Sequence, residues 1–120
     1  MPLYLWQASY TVPGVQGLRK DGGTKRAQVV RQMTEQLGGK LHAFYFSFGD
    51  SDIVGISEFP DHATSVALSL AVNGSGVATL KSTVLITPEE IDKAVHRVGV
   101  AGTHVKDFAG NIGCRCGDKG

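Results

Sequence analysis

The chain has 120 residues, 42% of them apolar and 19% charged, and its net charge is +1. A single core is expected at this size, and so slight a charge supplies no field to draw the chain to nucleic acid or an anionic membrane. No apolar run is long enough to span a bilayer and no secretory leader pattern is visible, so the cytoplasm is the expected compartment; Cys114 and Cys116 stand too close together to staple a core.

Leu3 to Tyr10 reads as the first strand. Alternate strand residues face opposite sides of a sheet, which puts Leu3, Leu5 and Gln7 on one face and Tyr4, Trp6 and Ala8 on the other. Thr11 to Gly23 carries Pro13, Gly14, Gly17, Gly22 and Gly23 and reads as a long break, a kind of segment that often carries function. Thr24 is the expected N-cap of a helix running to Leu37, with Ala27, Val30, Met33 and Leu37 as its inward stripe.

The stretch from Leu41 to Phe59 organises the rest. It reads as two strands joined by the polar turn Gly49-Asp50-Ser51-Asp52. In the first of them His42, Phe44, Phe46 and Phe48 alternate with Leu41, Ala43, Tyr45 and Ser47, so both faces are apolar. A sheet covered by helices on one side needs one apolar face, so the second is expected to meet another copy of the chain. Gly55 leaves space on one face of the return strand, for a bulky neighbour or a ligand.

Asp61 is the expected N-cap of a further helix, with Val66, Ala67, Leu70 and Ala71 as its buried stripe and Asn73-Gly74 as its stop. Val77 to Ile86 alternates as a fourth strand. Thr87-Pro88-Glu89-Glu90 has the composition of a capping box with proline at the first helical position, and Ile91, Ala94, Val95 and Val98 follow at helical spacing. The fold class implied is α+β, a ferredoxin-like βαββαβ arrangement with an additional C-terminal helix and a four-stranded antiparallel sheet. Such sheets are expected to pack face to face in an oligomer. Residues 1–98 form the domain in this reading, and 99–120 a glycine-rich tail.

The run Phe44-Tyr45-Phe46-Ser47-Phe48-Gly49-Asp50-Ser51-Asp52 resembles the hairpin of the GYD-domain family. Tyr10-Thr11-Val12-Pro13-Gly14-Val15, Leu37-Gly38-Gly39-Lys40-Leu41, Leu68-Ser69-Leu70-Ala71-Val72-Asn73 and Leu85-Ile86-Thr87-Pro88-Glu89-Glu90 resemble its flanking pieces, in the same order. Gly49 and Asp52 fit the Gly-Tyr-Asp signature, whereas Ser51 stands in the place of the tyrosine. The resemblance implies a member of the dimeric α+β-barrel group, in which two ferredoxin-like sheets pack together. Relatives in that wider group include small monooxygenases, isomerases, haem enzymes and ligand-sensing modules, and a fold so widely reused does not name a reaction.

Several side chains are candidates for chemistry. Asp50 and Asp52 are near enough in sequence to act as paired carboxylates, but acids are also common in hairpin turns for their bonds to the backbone. His42, read on the Phe44/Phe46 face, has the chemistry of a general base or metal ligand, set against an ordinary hydrogen-bonded strand-end histidine. Tyr4, Trp6, Tyr10 and Tyr45 could line a ligand pocket between the sheet and a partner copy, or fill that interface. Arg19, Lys20, Lys25 and Arg26 read as a solvated basic surface, and Cys114, Cys116 and His104 as an incidental part of the tail. The reading that results is a homo-oligomeric binding or structural module that encloses a small apolar or aromatic ligand through Trp6, Tyr10, Tyr45 and Asp50, with no cofactor and no metal. The alternative is a small cofactor-independent enzyme of the monooxygenase or isomerase kind, with His42, Tyr45 or Asp52 in its cleft.

Overall fold

In this computed structural model the described residues are 1–112, with side chains through Val100. The backbone divides after Leu85 into two compact units. The first holds a four-stranded antiparallel sheet: β1 (Leu3–Tyr10), β2 (Lys40–Phe46), β3 (Ile53–Glu58) and β4 (Ala78–Leu85). The strands lie in the order β2-β3-β1-β4, the ferredoxin-like arrangement. Helices α1 (Val12–Asp21), α2 (Gly23–Gln36) and α3 (His62–Gly74) complete the unit.

The break expected between Thr11 and Gly23 is helical. Thr11 is an N-cap whose hydroxyl oxygen accepts from the Gly14 N–H, and Pro13 sits in the first turn, where a missing N–H costs nothing. Gly14 is required there because a Cβ would stand 2.2 Å from the Val77 carbonyl oxygen. The glycines that suggest a loop thus mark close approach of α1 to the start of β4. Consequently α2 begins at Gly23 rather than behind a Thr24 cap. Its stripe falls as expected, with Ala27, Val30, Met33 and Leu37 half-buried and Thr34 fully buried among them.

Strand β2 departs from simple alternation. The register shifts between Leu41, opposite Ser57, and Ala43, opposite Ile56. A bulge inserts one extra residue and reverses the side on which later residues point. Leu41, Phe44 and Phe46 therefore all face the helices, against Trp6, Ala8 and Ile53. The expectation of a β2 rich in apolar bulk on both faces is corrected by that one residue, His42. Phe48 is outside the strand: it takes a φ of 50°, and the Ser47 N–H closes the turn onto the Asp52 carbonyl at 2.8 Å.

In α3 the Asp61 carboxylate caps as expected, accepting from the Thr64 N–H at 2.8 Å. The buried stripe is different. Ser65 is buried and Leu68, Ser69 and Val72 half-buried, whereas Val66, Ala67, Leu70 and Ala71 are exposed. This helix is apolar nearly all round, so hydrophobicity alone does not choose its rotation. Asn73 does: its side chain donates to the Leu80 carbonyl at 3.3 Å and accepts from the Leu80 N–H at 2.7 Å, fixing the helix to β4.

The second unit contains α4 (Pro88–Ile112). The Thr87 N–H donates to Glu90 Oε1 and the Glu90 N–H to Thr87 Oγ1, both at 3.2 Å, a reciprocal capping box. The helix continues past Val98, where the sequence pattern suggests an end. No proline interrupts it, and each interior glycine costs only about 1 kcal/mol. Cys114 and Cys116 lie outside the described residues, as does the His104 side chain. No helix among the described residues is long and apolar enough to cross a membrane.

Candidate functional site

Trp6, in the middle of β1, stands directly opposite Gly55 of β3. A Cβ at position 55 would lie 2.2 Å from the indole ring. The space that Gly55 leaves is therefore occupied by a bulky neighbour, the first of the two possibilities its sequence position allowed. The indole N–H donates to the buried Ser57 hydroxyl at 2.9 Å, so the ring is held at its edge as well as on its face.

That ring is part of the floor of a half-open cavity of about 340 Å3 lined by the sheet, α2, α3 and the turn after α3. Ala8 and Leu80 extend the floor. Val30 and Met33 form the α2 wall, and Leu68 and Val72 the α3 wall. The size and the apolar lining suit a small organic molecule.

Tyr10 and Arg26 bring polar groups to this lining. Tyr10 ends β1, and its N–H donates to Asp52 Oδ2 at 2.7 Å. The Asp52 N–H in turn donates to the Ala8 carbonyl at 2.9 Å. Asp52 thus fastens the β2–β3 hairpin to the end of β1 and fixes the backbone from which the Tyr10 ring projects. The Arg26 guanidinium carbon stands 5.9 Å from the centre of that ring, within cation–π range. Its Nη2 lies 3.9 Å from Asp21 Oδ2. The Tyr10 hydroxyl and the Arg26 Nε are both buried, and neither has a hydrogen-bond partner among the described residues. Burial pushes the Tyr10 pKa up; Arg26 opposes that rise and Asp52 adds to it. At neutral pH the phenol is therefore an O–H donor.

A family model describing the GYD domain matches residues 4–95. The chain belongs to the GYD-domain family. A solved structure of a protein of unknown function from Nitrosomonas europaea is 19% identical, with 72% of this chain and 90% of that one covered and a TM-score of 0.38. No curated protein matches the chain.

Within this GYD domain the residues singled out from sequence fall in different places. Trp6 and Tyr10 share the cavity, and Asp52 supports it through the Tyr10 backbone. Asp50 lies in the exposed turn, and Tyr45 is 68% exposed on the sheet face away from the helices. His42, as the bulged residue, is carried to that open face rather than the Phe44/Phe46 face, where its Nε2 hydrogen-bonds Glu58 Oε1 at 2.7 Å. That bond, more than any other influence, holds the Glu58 carboxyl below its ordinary pKa. Tyr4 is buried and its hydroxyl pairs with His62 Nδ1 at the start of α3; burial, then Asp61, raises its pKa. Arg26 is the residue that sequence reasoning misplaced among the surface cations. Its spacing carried the signal, since it stands four residues before Val30 and seven before Met33, on the inward stripe of α2. Among the described residues no group of three His, Cys, Asp or Glu side chains is placed to hold a metal.

Proposed function

We propose that this GYD domain is a small-ligand-binding module that acts as a homo-oligomer. The observation that carries the reading is the apolar cavity over Trp6, with α2 and α3 as its walls. The proposed oligomer contact is the open face of the sheet. Across the strand pairs of that face run Tyr45 beside Val54, Ile56 beside Leu5, and Leu3 beside Leu85, a diagonal apolar band. Gln7 and Lys81 flank it on one side and the His42–Glu58 pair on the other. Burying such a band against a second copy would remove it from water.

Trp6 is the sole tryptophan of the chain, so its fluorescence reports the cavity directly. Titration with the apolar probe N-phenyl-1-naphthylamine is expected to quench Trp6 and to saturate. Filling the space by Leu68→Phe or Val30→Phe is expected to abolish probe binding. A wild-type protein that gives no saturable signal overturns the reading. The enzyme alternative draws less support, because His42 and Tyr45 lie on the sheet face opposite the cavity and Asp52 is engaged by the backbone.

A further inference from the structure

From Ile91 to Val98 the α4 helix carries an apolar stripe open to water. Ile91 is 48% exposed, Val95 62% and Val98 61%, and Ala94 is exposed between them. Single exposed apolar residues are ordinary, but a row of them at helical spacing is a face without a partner. Ile91, Ala94 and Val98 fall at positions a, d and a of a heptad, and Thr87 takes the preceding d. Glu90 and Arg97 are then both at g, and Pro88 and Val95 both at e. One flank of the stripe is therefore charged, with opposite signs one heptad apart, and the other flank is apolar. Around Ala94 the surface dips between Glu90, Lys93, Arg97 and Val98, at the spacing of a hole that receives a knob. We infer that α4 pairs antiparallel with α4 of a second copy, Ile91 of each helix seated over Ala94 of the other.

The flanks choose the occupant, its direction and its register. Antiparallel helices bring g against g and e against e. Glu90 then meets Arg97 of the second copy, Arg97 meets its Glu90, and Val95 meets its Pro88. A parallel pair would lay Glu90 against Val95, a charge against an apolar flank with no ion to answer it. Sliding the antiparallel pair by one heptad, so that Val98 sits over Ala94, would set Arg97 against Arg97. The register with Ile91 over Ala94 matches both charges and sets the largest side chain of the stripe against the smallest. Both charges are available: neither Glu90 nor Arg97 belongs to an ion pair among the described residues, and the Thr87 cap engages Glu90 through Oε1, leaving Oε2. The helix dipoles also oppose in this direction. A pattern that complements itself under a two-fold rotation is met by a second copy of the chain. The seam is short, so it is weak alone and gains strength where copies are already joined. It involves neither the cavity nor the sheet face, and two unlike two-fold contacts on one chain carry the assembly past a dimer.

The test is sedimentation equilibrium of the full-length Tyr45→Lys protein, in which a contact through the open sheet face is removed. A monomer–dimer equilibrium is expected between micromolar and millimolar concentration. Adding Arg97→Glu, or separately Glu90→Arg, is expected to weaken that dimer about tenfold or more, because each sets like charges together. Mixing the two reversed proteins in equal amounts is expected to restore it, because every facing pair is then opposite again. Arg97 is exposed and holds no ion pair in its own chain, so Arg97→Glu tests the contact even if Glu90→Arg frays the cap. A Tyr45→Lys protein that stays monomeric over the whole range overturns the inference, as does a dimer that Arg97→Glu leaves intact or a mixture of folded variants that stays monomeric. A wild-type dimer beside a monomeric Tyr45→Lys protein overturns it and leaves the sheet contact standing. A wild-type monomer overturns both.

Discussion

The two faces of the sheet are made from the same four strands and are built to different ends. Toward the helices stand Tyr4, Trp6, Ala8, Leu41 and Ile53, all buried, with Phe44, Phe46 and Leu80 packed against them. Away from the helices stand Leu5, Val54 and Ile56, half-buried, amid Gln7, Lys81, His42 and Glu58. One extra residue in β2 accounts for much of the contrast. Without the bulge at His42, either Leu41 or the pair Phe44 and Phe46 would have to face outward. With it, every large apolar side chain of β2 except Tyr45 turns to the core. The helix-side face has enough bulk to fill its interior and still leave a shaped cavity, while the open face keeps only a band of apolar residues bordered by charge.

Truncation of neighbours on β1 gives the strongest way to break this comparison. Trp6→Ala removes a side chain 4% exposed and leaves the Ser57 hydroxyl without its donor. The expected loss is about 3–5 kcal/mol, read from urea denaturation. Leu5→Ala, next along the strand but on the open face, is expected to cost about half as much or less in the free chain. Equal losses would mean that the two faces are buried alike.

A second contrast concerns two acids two residues apart. Asp52 receives the Tyr10 N–H, and its loss unties the hairpin from β1. Asp52→Ala is expected to cost about 1.5–3 kcal/mol, the range for a hydrogen bond to a charged group. Asp50, in the exposed part of the turn, is expected to tolerate alanine within about 0.5 kcal/mol. Parallel denaturation curves of the two variants test the difference.

What was legible in the sequence, and what was not, follows the kind of signal. Period-two alternation located β1, β3 and β4, and period 3.6 located the inward stripe of α2. The Thr87 capping box is local chemistry, readable without tertiary context. Three features needed that context. The α1 helix was concealed because its glycines serve contact with β4 rather than chain flexibility. The rotation of α3 was concealed because the helix is apolar nearly all round and its face is selected by the bonds of Asn73 to the Leu80 backbone of β4. The bulge at His42 leaves no compositional trace, and it alone moved His42 from one face to the other. The helix-side cavity has no such signal: the pocket expected of Trp6 and Tyr10 lies between the sheet and a partner copy, whereas both side chains turn toward the helices, and Arg26 reads as a surface cation although its spacing places it on the inward stripe.

The open face allows a gentler test. Tyr45 is 68% exposed, so Tyr45→Lys is expected to change the stability of the free chain by no more than about 0.5 kcal/mol. In an oligomer formed through this face it would bury an unpaired charge. Sedimentation velocity is expected to show a wild-type oligomer and a smaller Tyr45→Lys species. A wild-type monomer at micromolar concentration would confine the function of the domain to the cavity side.

The smallest effect is electrostatic and belongs to the border of the apolar band. Glu58 has a folded pKa below its unfolded one, first through the hydrogen bond from His42; burial opposes this, and the charges of His42, the N-terminal ammonium and Lys40 lower it further. A carboxyl with a lowered folded pKa stabilises the fold above the ordinary glutamate value, about 4.3. That contribution disappears as pH falls through the folded pKa, because protonation then favours the unfolded chain. Because the hydrogen bond outranks the charge, a neutral donor should preserve much of the effect. His42→Gln is accordingly expected to keep a stability–pH curve close to wild type, while His42→Ala flattens its acid limb. Melting temperatures taken from neutral to acid pH separate the two variants. If glutamine flattens the curve as fully as alanine does, the pair is held by the imidazolium charge, and added salt would then weaken it.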